Sequence, residues 1–361
     1  MTCEFVNVIF IIKKHLGAVS KVYMITIQEV AELAGVSKST VSRVLNNSEN
    51  VSERARLRVE RVIREQNYTP SAFAVNLSRR KSSAIGVIVP ELDNPFFGEV
   101  LKGITEVSDQ KEFSVFCFGT ANDMVREDRS LRMLEQQRVR GLIITPAQER
   151  TNKEDVERLR SCLSRLNMPI VVVDRHYDII PLDGVFYENY ESGYIAASEL
   201  IKAGNEQLGI ITGDLRLRIA RDRYQGFIQA ISDAGLTLDE RFVLKGDFTA
   251  TTAHRLSVKM LSEGLLPQGI VTCNNRTSLG FLKAIREKGL KIGKDIAIIG
   301  IDNIEILEFL DYNFSCVARD TTEMGRLAMR LLLDRIENNS NQRIIHVVPC
   351  QLLLKGSERR G

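Results

Sequence analysis

A chain of 361 residues is too long for one hydrophobic core and predicts two to three structural units. Its 49 Lys and Arg stand against 46 Asp and Glu, and with 44% hydrophobic residues the composition is that of an ordinary globular protein, which excludes a disordered or fibrous chain. The charge is uneven: residues 24 to 83 hold 10 Lys and Arg against 6 Asp and Glu, net +4, whereas residues 84 to 361 hold 36 against 39, net −3. A local basic excess is what contact with a polyanion requires.

In chain order, residues 1 to 23 contain an apolar run, Phe5 to Ile12, too short to span a bilayer. Glu4 precedes it and Lys13 and Lys14 follow, the reverse of a secretory signal, so no membrane segment is expected. The stretch TIQEVAELAGVSKSTVSRVLN, residues 26 to 46, holds two short helical patterns joined through Ala34-Gly35-Val36. Thr26 and Glu29 have capping-box spacing, Ile27, Val30, Ala31 and Ala34 share a face, Gly35 ends the first helix and Ser37 caps the second. Val41, Val44 and Leu45 then point inward, leaving Lys38, Ser39, Ser42 and Arg43 outward with donors for base edges or phosphates. A third helix from Ser52 buries Val59 and Ile63 and solvates Arg54, Arg56, Arg58, Arg61 and Arg64. The alternative for this segment alone is a small helical bundle whose arginines only keep it soluble.

Residues 68 to 83, YTPSAFAVNLSRRKSS, read as a hinge: Pro70 breaks the third helix, a short helical run carries Leu77, and Arg79, Arg80 and Lys81 follow. Leu77 beside basic residues fits a wedge inserted between base steps from the minor groove; alone, it would be a core residue. From Ala84 the strands AIGVIVP, FSVFCFG, GLIITPA, PIVVVD and GVFYE alternate with helices near 97 to 111, 124 to 139 and 152 to 167. The pattern repeats as LGIITGD, FVLKGD, GIVTCN, DIAIIGID and SCVARD, with helices near 191 to 203, 221 to 235, 251 to 264 and 277 to 289. Such alternation predicts two similar α/β subdomains with parallel sheets, and a ligand cleft between them at the carboxyl ends of the strands.

Polar and aromatic residues at those strand ends are the candidate lining: Asn94, Phe96 and Phe97 in NPFF, Asp174, Arg223, Phe248, Asn274, Asn275 and Asp302. Carboxylates with Arg and Asn suit vicinal hydroxyls, and an aromatic face suits a sugar ring. The four His (15, 176, 254, 346) lack metal-ligand spacing and no Gly-rich phosphate loop or GxSxG is present, so neither catalysis, metal nor cofactor is expected. Six scattered Cys without a CxxC pair read as reduced core thiols of a cytosolic protein, Cys117, Cys273, Cys316 and Cys350 lying in or beside strand patterns.

The order helix-turn-helix, third helix, Tyr68-x-Pro70, hinge with Leu77, then AIGVIVP resembles the LacI/GalR family of bacterial transcriptional regulators, from about Met24 to the end of the chain. The resemblance implies an all-α helix-turn-helix head (24 to 69), a hinge (70 to 83) and an α/β body (84 to 361). Two parallel-sheet subdomains of the type I periplasmic-binding-protein fold would make up the body, about 84 to 186 with 318 to 346, and about 187 to 317 with 347 to 361. Because Met24 sits where family chains usually begin, residues 1 to 23 read as a non-native or disordered extension. It implies a cytoplasmic homodimeric repressor on a near-palindromic double-stranded operator: Thr26, Ser37, Lys38, Ser39, Thr40, Ser42, Arg43 and Asn46 on DNA, Leu77 in its minor groove, and a small sugar-type effector in the cleft. Departures matter. Leu217 and Ile219 replace the polar pair that grips a base in purine-responsive relatives, which argues against purines; Asn275 replaces a common Asp, and Val75 a hinge Arg. Arg216, Arg218, Arg221 and Arg223, with Arg175 and His176, open the alternative of an acidic or phosphorylated sugar. The chain ends without a leucine heptad, so a dimer is expected rather than a tetramer. A transport or chemotaxis sugar-binding protein, or a regulator answering to a protein corepressor, are the competing readings.

Overall fold

A computed structural model of the chain describes residues 25–45, 48, 50–68, 83–150, 152–177, 180–338 and 342–361. The hinge stretch, with Leu77 and Val75, and also Asn46 and residues 1–24, lie outside the described residues. Two compact units are present, divided after Lys81.

In the first unit, helix α1 (Ile27–Ala34) opens on a complete capping box: Glu29 N–H donates to Thr26 Oγ1 (3.3 Å) and Thr26 N–H to Glu29 Oε2 (2.6 Å). Gly35, at φ +60°, ends it in the left-handed region that a side chain would resist. Ser37 Oγ then accepts from Thr40 N–H (3.2 Å) and starts α2 (Lys38–Leu45), while Ser52 caps α3 (Glu53–Glu65). Val30, Ala31, Ala34, Val41, Val44, Val59, Val62 and Tyr68 form the core of this unit. Val62 and Tyr68 add to the expected set, and Ile63 is only partly buried. Arg56 is not simply solvated: it is half-buried and its guanidinium donates to Ser48 O (2.7 Å), tying α3 to the segment after α2.

The second unit is built twice on one plan. The first lobe has strands β1 (Ala84–Val89), β2 (Ser114–Gly119), β3 (Leu142–Ile144), β4 (Ile170–Val173) and β5 (Asp183–Tyr187), interleaved with α4 (Pro95–Gln110), α5 (Met124–Gln137) and α6 (Lys153–Leu166). The second lobe has α7 (Asn189–Lys202), β6 (Leu208–Ile211), α8 (Arg218–Asp233), β7 (Val243–Leu244), α9 (Ala250–Ser262), β8 (Gly269–Thr272), α10 (Asn275–Glu287), β9 (Ala297–Ile301), α11 (Glu305–Phe309) and β10 (Cys316–Arg319). Helix α12 (Thr321–Asn338) and β11 (Ile345–Val348) return to the first lobe, and β12 (Cys350–Leu353) to the second. The sheets run β11-β5-β4-β3-β1-β2 and β12-β10-β9-β8-β6-β7, the same order twice. Pairing is parallel throughout except for β12, which lies antiparallel to β10 at the edge of the second sheet. Single residues, Glu188, Asp320 and Pro349, separate the elements at the three crossings. The second and third crossings therefore fall a little beyond the expected 317 and 346, because β10 pairs with β9 through Val317 and β11 pairs with β5 through Val348.

Central strands are apolar on both faces because helices cover both: all six residues of β1 are buried. Strand β2 carries the same kind of sequence but forms an open edge, leaving Phe116 and Cys117 exposed. Cys117 is thus not a core thiol; the other described cysteines are buried or half-buried free thiols.

Close helix approach fixes each lobe. A Cβ on Gly193 of α7 would stand 2.0 Å from Arg223 O, and one on Gly226 of α8 would stand 2.0 Å from Tyr190 O. The two glycines let α7 and α8 touch backbone to backbone, which sets the depth of Arg223. We expect Gly226→Ala to destabilise the protein by about 3 kcal/mol through overpacking, with a lower urea midpoint. Gly98→Ala, in a helix with nothing within 4 Å of the new methyl, should be neutral or mildly stabilising. Equal effects of the two would contradict the close-approach account.

Candidate functional site

The nine cleft candidates, Asn94, Phe96, Phe97, Asp174, Arg223, Phe248, Asn274, Asn275 and Asp302, all line one cavity between the lobes. Glu91, Arg175, Ile219 and Arg319 complete it. Three of its residues are held at positive φ without being glycine: Asp174 (+62°), Phe248 (+68°) and Asp302 (+79°). Left-handed backbone of this kind costs of order 1 to 3 kcal/mol per residue and persists where the surroundings over-determine it, commonly at ligand sites.

From the first lobe, Asn94 caps α4 by accepting from Phe96 N–H (3.1 Å), with Pro95 at the first helical position. That junction places the NPFF residues at the cleft. Phe97 and Phe96 both pack into the first-lobe core, ring centroids 5.0 Å apart, so they serve as core as well as lining. From the second lobe, Asn274 caps α10 and donates to Phe248 O (3.1 Å). Asn275 reaches across and donates to Asn94 Oδ1 (3.1 Å). Arg223 is fully enclosed: its Nε donates to Asn189 Oδ1 (2.8 Å), its Nη1 to Cys273 O (2.5 Å), and its guanidinium carbon lies 5.7 Å from the Phe248 ring. Burial brings its pKa down to about 10, which leaves it charged at neutral pH.

Glu91 was missed by sequence reasoning, and so was Arg319. It ends β10 inside SCVARD, and the rule that selected Asp174 and Asp302, a charged residue closing an apolar strand, applies to it equally. Its Nε donates to Asp302 Oδ1 (2.7 Å), its Nη2 donates to the same oxygen, and its Nη1 lies 3.8 Å from Asp174 Oδ1.

Of the basic residues that opened an anionic alternative, three pair with carboxylates, whereas Arg175 and Arg223 donate only to neutral acceptors and Arg175 Nε has no hydrogen-bond partner among the described residues. Arg216 pairs with Asp214 (2.6 Å), Arg218 with Asp222 (3.4 Å) and Arg221 with Glu149 across the cleft (2.9 Å). Arg175 donates to Pro146 O, Ala147 O and Asn122 Oδ1, and His176 stacks on Phe186. The cavity lining itself balances: Arg175, Arg223 and Arg319 against Glu91, Asp174 and Asp302. Leu217 and Ile219, where a base-gripping polar pair would be needed, are buried in the second-lobe core.

On the helix-turn-helix unit, Thr26, Ser37, Lys38, Ser39 and Arg43 are exposed and Thr40 and Ser42 half-buried. Thr26 and Ser37 spend their hydroxyls on helix caps, and Thr40 Oγ1 sits 2.8 Å from Ser37 Oγ. Lys38, Ser39, Ser42 and Arg43 lie on the side of α2 away from the buried Val41 and Val44.

Residues 26–71 match the family model for bacterial regulatory proteins of the lacI family, and residues 197–357 match a periplasmic binding protein-like domain. The ribose operon repressor of Haemophilus influenzae is 33% identical over 331 residues, covering 91% of this chain and 98% of that protein. The HTH-type transcriptional repressor PurR of Pasteurella multocida is 33% identical over 334 residues, 92% of this chain and 98% of its own. Among solved structures, the Lac repressor dimer bound to operator and the anti-inducer ONPF superposes with a TM-score of 0.79 at 25% identity, covering 93% of this chain and 99% of that one. The complex of the transcriptional regulator CelR with cellobiose gives 0.69 at 26% identity, covering 92% and 99%. Among the described residues no helix is long and apolar enough to cross a membrane. With matched relatives spanning the head, the connecting segment and both lobes, the chain belongs to the LacI family of bacterial transcriptional regulators.

Proposed function

We propose that this protein is a cytoplasmic, homodimeric repressor whose hold on a near-palindromic operator is switched by a neutral sugar bound between the lobes. The observation that carries the effector class is the charge balance of the cleft. Three guanidinium groups and three carboxylates leave no net charge for an ionic ligand to neutralise, while the same groups offer donors and acceptors for hydroxyls, and Phe96 and Phe248 offer ring faces. An added carboxylate or phosphate would have to compete with Asp174 and Asp302 for Arg319 and repay its own desolvation. The cellobiose bound by CelR, at 26% identity, supports the same class. The open, apolar edge of β2 supports self-association, since an unpaired edge with an exposed Phe116 is otherwise a liability.

On DNA, Lys38, Ser39 and Arg43 read bases, Thr26, Ser37, Thr40, Ser42 and Asn46 meet backbone and flanking groups, and Leu77 is the wedge. Effector in the cleft alters the relation between the two first lobes of the dimer, which is the bistable element shared by both sites.

In a thermal-shift panel, neutral pentoses, hexoses and disaccharides should include a ligand that raises the melting temperature, worth about 2.7 kcal/mol at a hundredfold excess over Kd. Stabilisation by gluconate or a sugar phosphate alone would overturn the neutral-sugar assignment. For the DNA face, Arg43→Ala should cost about 1 to 3 kcal/mol on the selected operator and far less on random DNA, read by fluorescence anisotropy. An equal loss on both would remove its base-reading role.

A further inference from the structure

Arg319 closes the second-lobe strand β10, one residue before the crossing at Asp320. Its guanidinium carbon lies 4.8 Å from the Phe96 ring and 4.5 Å from the Tyr187 ring, both of the first lobe. Asp302 of the second lobe and Asp174 of the first flank it, and its side chain is only 2% exposed. Its Nη1 is buried with no hydrogen-bond acceptor. A flat group set against two aromatic rings, with carboxylates from opposite lobes at its edge, is the arrangement in which such a cleft would hold a polyhydroxylated ring. The space left beside it is about 40 Å³. Ligand pockets are roughly 300 Å³ or larger, so a sugar does not fit until the lobes part or this side chain moves.

We propose that Arg319 is a built-in competitor for the effector: in the absence of sugar the cleft closes on its guanidinium, and effector binding exchanges the Arg319 contacts for its own. The competition rests on the reading of the cleft as the effector site; the closure does not. Arg319 thereby positions Asp174 and Asp302 and sets how easily the lobes separate. Other groups also bridge the lobes: Glu149 to Arg221, Glu91 and Asp93 to Arg276, and Asn94 to Asn275. The ion pairs among these lie at the rim or partly in solvent, where screening weakens them, and the buried Asn94–Asn275 bond is uncharged, whereas the Arg319 contacts are buried and charged.

The test needs no known ligand. Arg126 lies two residues beyond Met124, which shares an inter-lobe pocket with Arg216 of the opposite lobe. Azidophenylalanine at positions 126 and 216 of the full chain accepts a donor and acceptor dye without involving the native cysteines. The protein is unfolded and refolded to strip bound sugar, and single-molecule energy transfer is then recorded. The wild type should show one high-transfer, closed population. Arg319→Met should move it to low transfer, and Arg319→Lys, which keeps the charge, should restore part of the closed state. Transfer unchanged in Arg319→Met overturns the proposal, as does an open population in the wild type, a reading that stands even if no variant folds. If Arg319→Met gives no cooperative melt, Arg319→Gln takes its place with the same two readings. A closed wild type that answers to no neutral sugar would uphold the closure and sink only the effector class; an open wild type that binds sugar would do the reverse.

Discussion

The body turns on a buried charge beside the crossing between its lobes. Arg319, Asp302 and Asp174 meet where the chain passes between lobes, with side chains 2%, 9% and 6% exposed. Ion pairs out of water repay their desolvation only when closely matched, and removing one partner of such a pair costs about 3 to 5 kcal/mol. Pairs in solvent, such as those along the cleft rim, are each worth about 1 kcal/mol or less. The buried group is therefore the strongest of the charged ties between the lobes. The same group explains why two aspartates tolerate left-handed backbone: each strand end must turn its carboxylate inward.

Around that group the duplicated plan of the body has a clear use. Each lobe supplies one sheet whose strand ends face the cleft and a helix pair locked by glycine contacts, Gly193 and Gly226 in the second lobe, Gly103 and Gly325 in the first. Three one-residue crossings join the lobes, and motion of one lobe against the other would have to be absorbed there. The helix-turn-helix unit works by the same economy on a smaller scale. Its caps, Thr26 with Glu29 and Ser37 with Thr40, hold short helices that isolated propensity would leave marginal. Lys38 and Arg43 are left exposed on the outer side of α2, beside Ser39, whose hydroxyl lies 2.8 Å from Ser37 Oγ.

Much of this was legible in the sequence because it is local. Capping residues, the Gly35 turn, the alternation of apolar strands with helices, and the polar residues at strand ends are all written within a few positions of one another. What could not be read is what depends on pairing at a distance. Cys117 and Phe116 sit in FSVFCFG, which resembles a central strand; only the sheet order makes it an edge. Arg221 looked like an available cation because its partner, Glu149, lies 72 residues away. Arg319 was passed over as part of a strand, although its position at the strand end carried the signal. Helix α12 and strands β11 and β12 went undivided because the returning segments break the strict alternation that organised the rest. Every residue on the cleft list lines a single cavity between the lobes, since strand ends of parallel sheets converge by construction.

The central claim is that occupancy of the cleft and affinity for DNA are coupled. The most direct measurement is the affinity of the full chain for an operator selected from random DNA, titrated by anisotropy at fixed salt with and without a saturating neutral sugar that stabilises the protein. The account predicts a change of at least about tenfold, or about 1.4 kcal/mol of coupling. A sugar that binds the cleft and leaves operator affinity unchanged would contradict it.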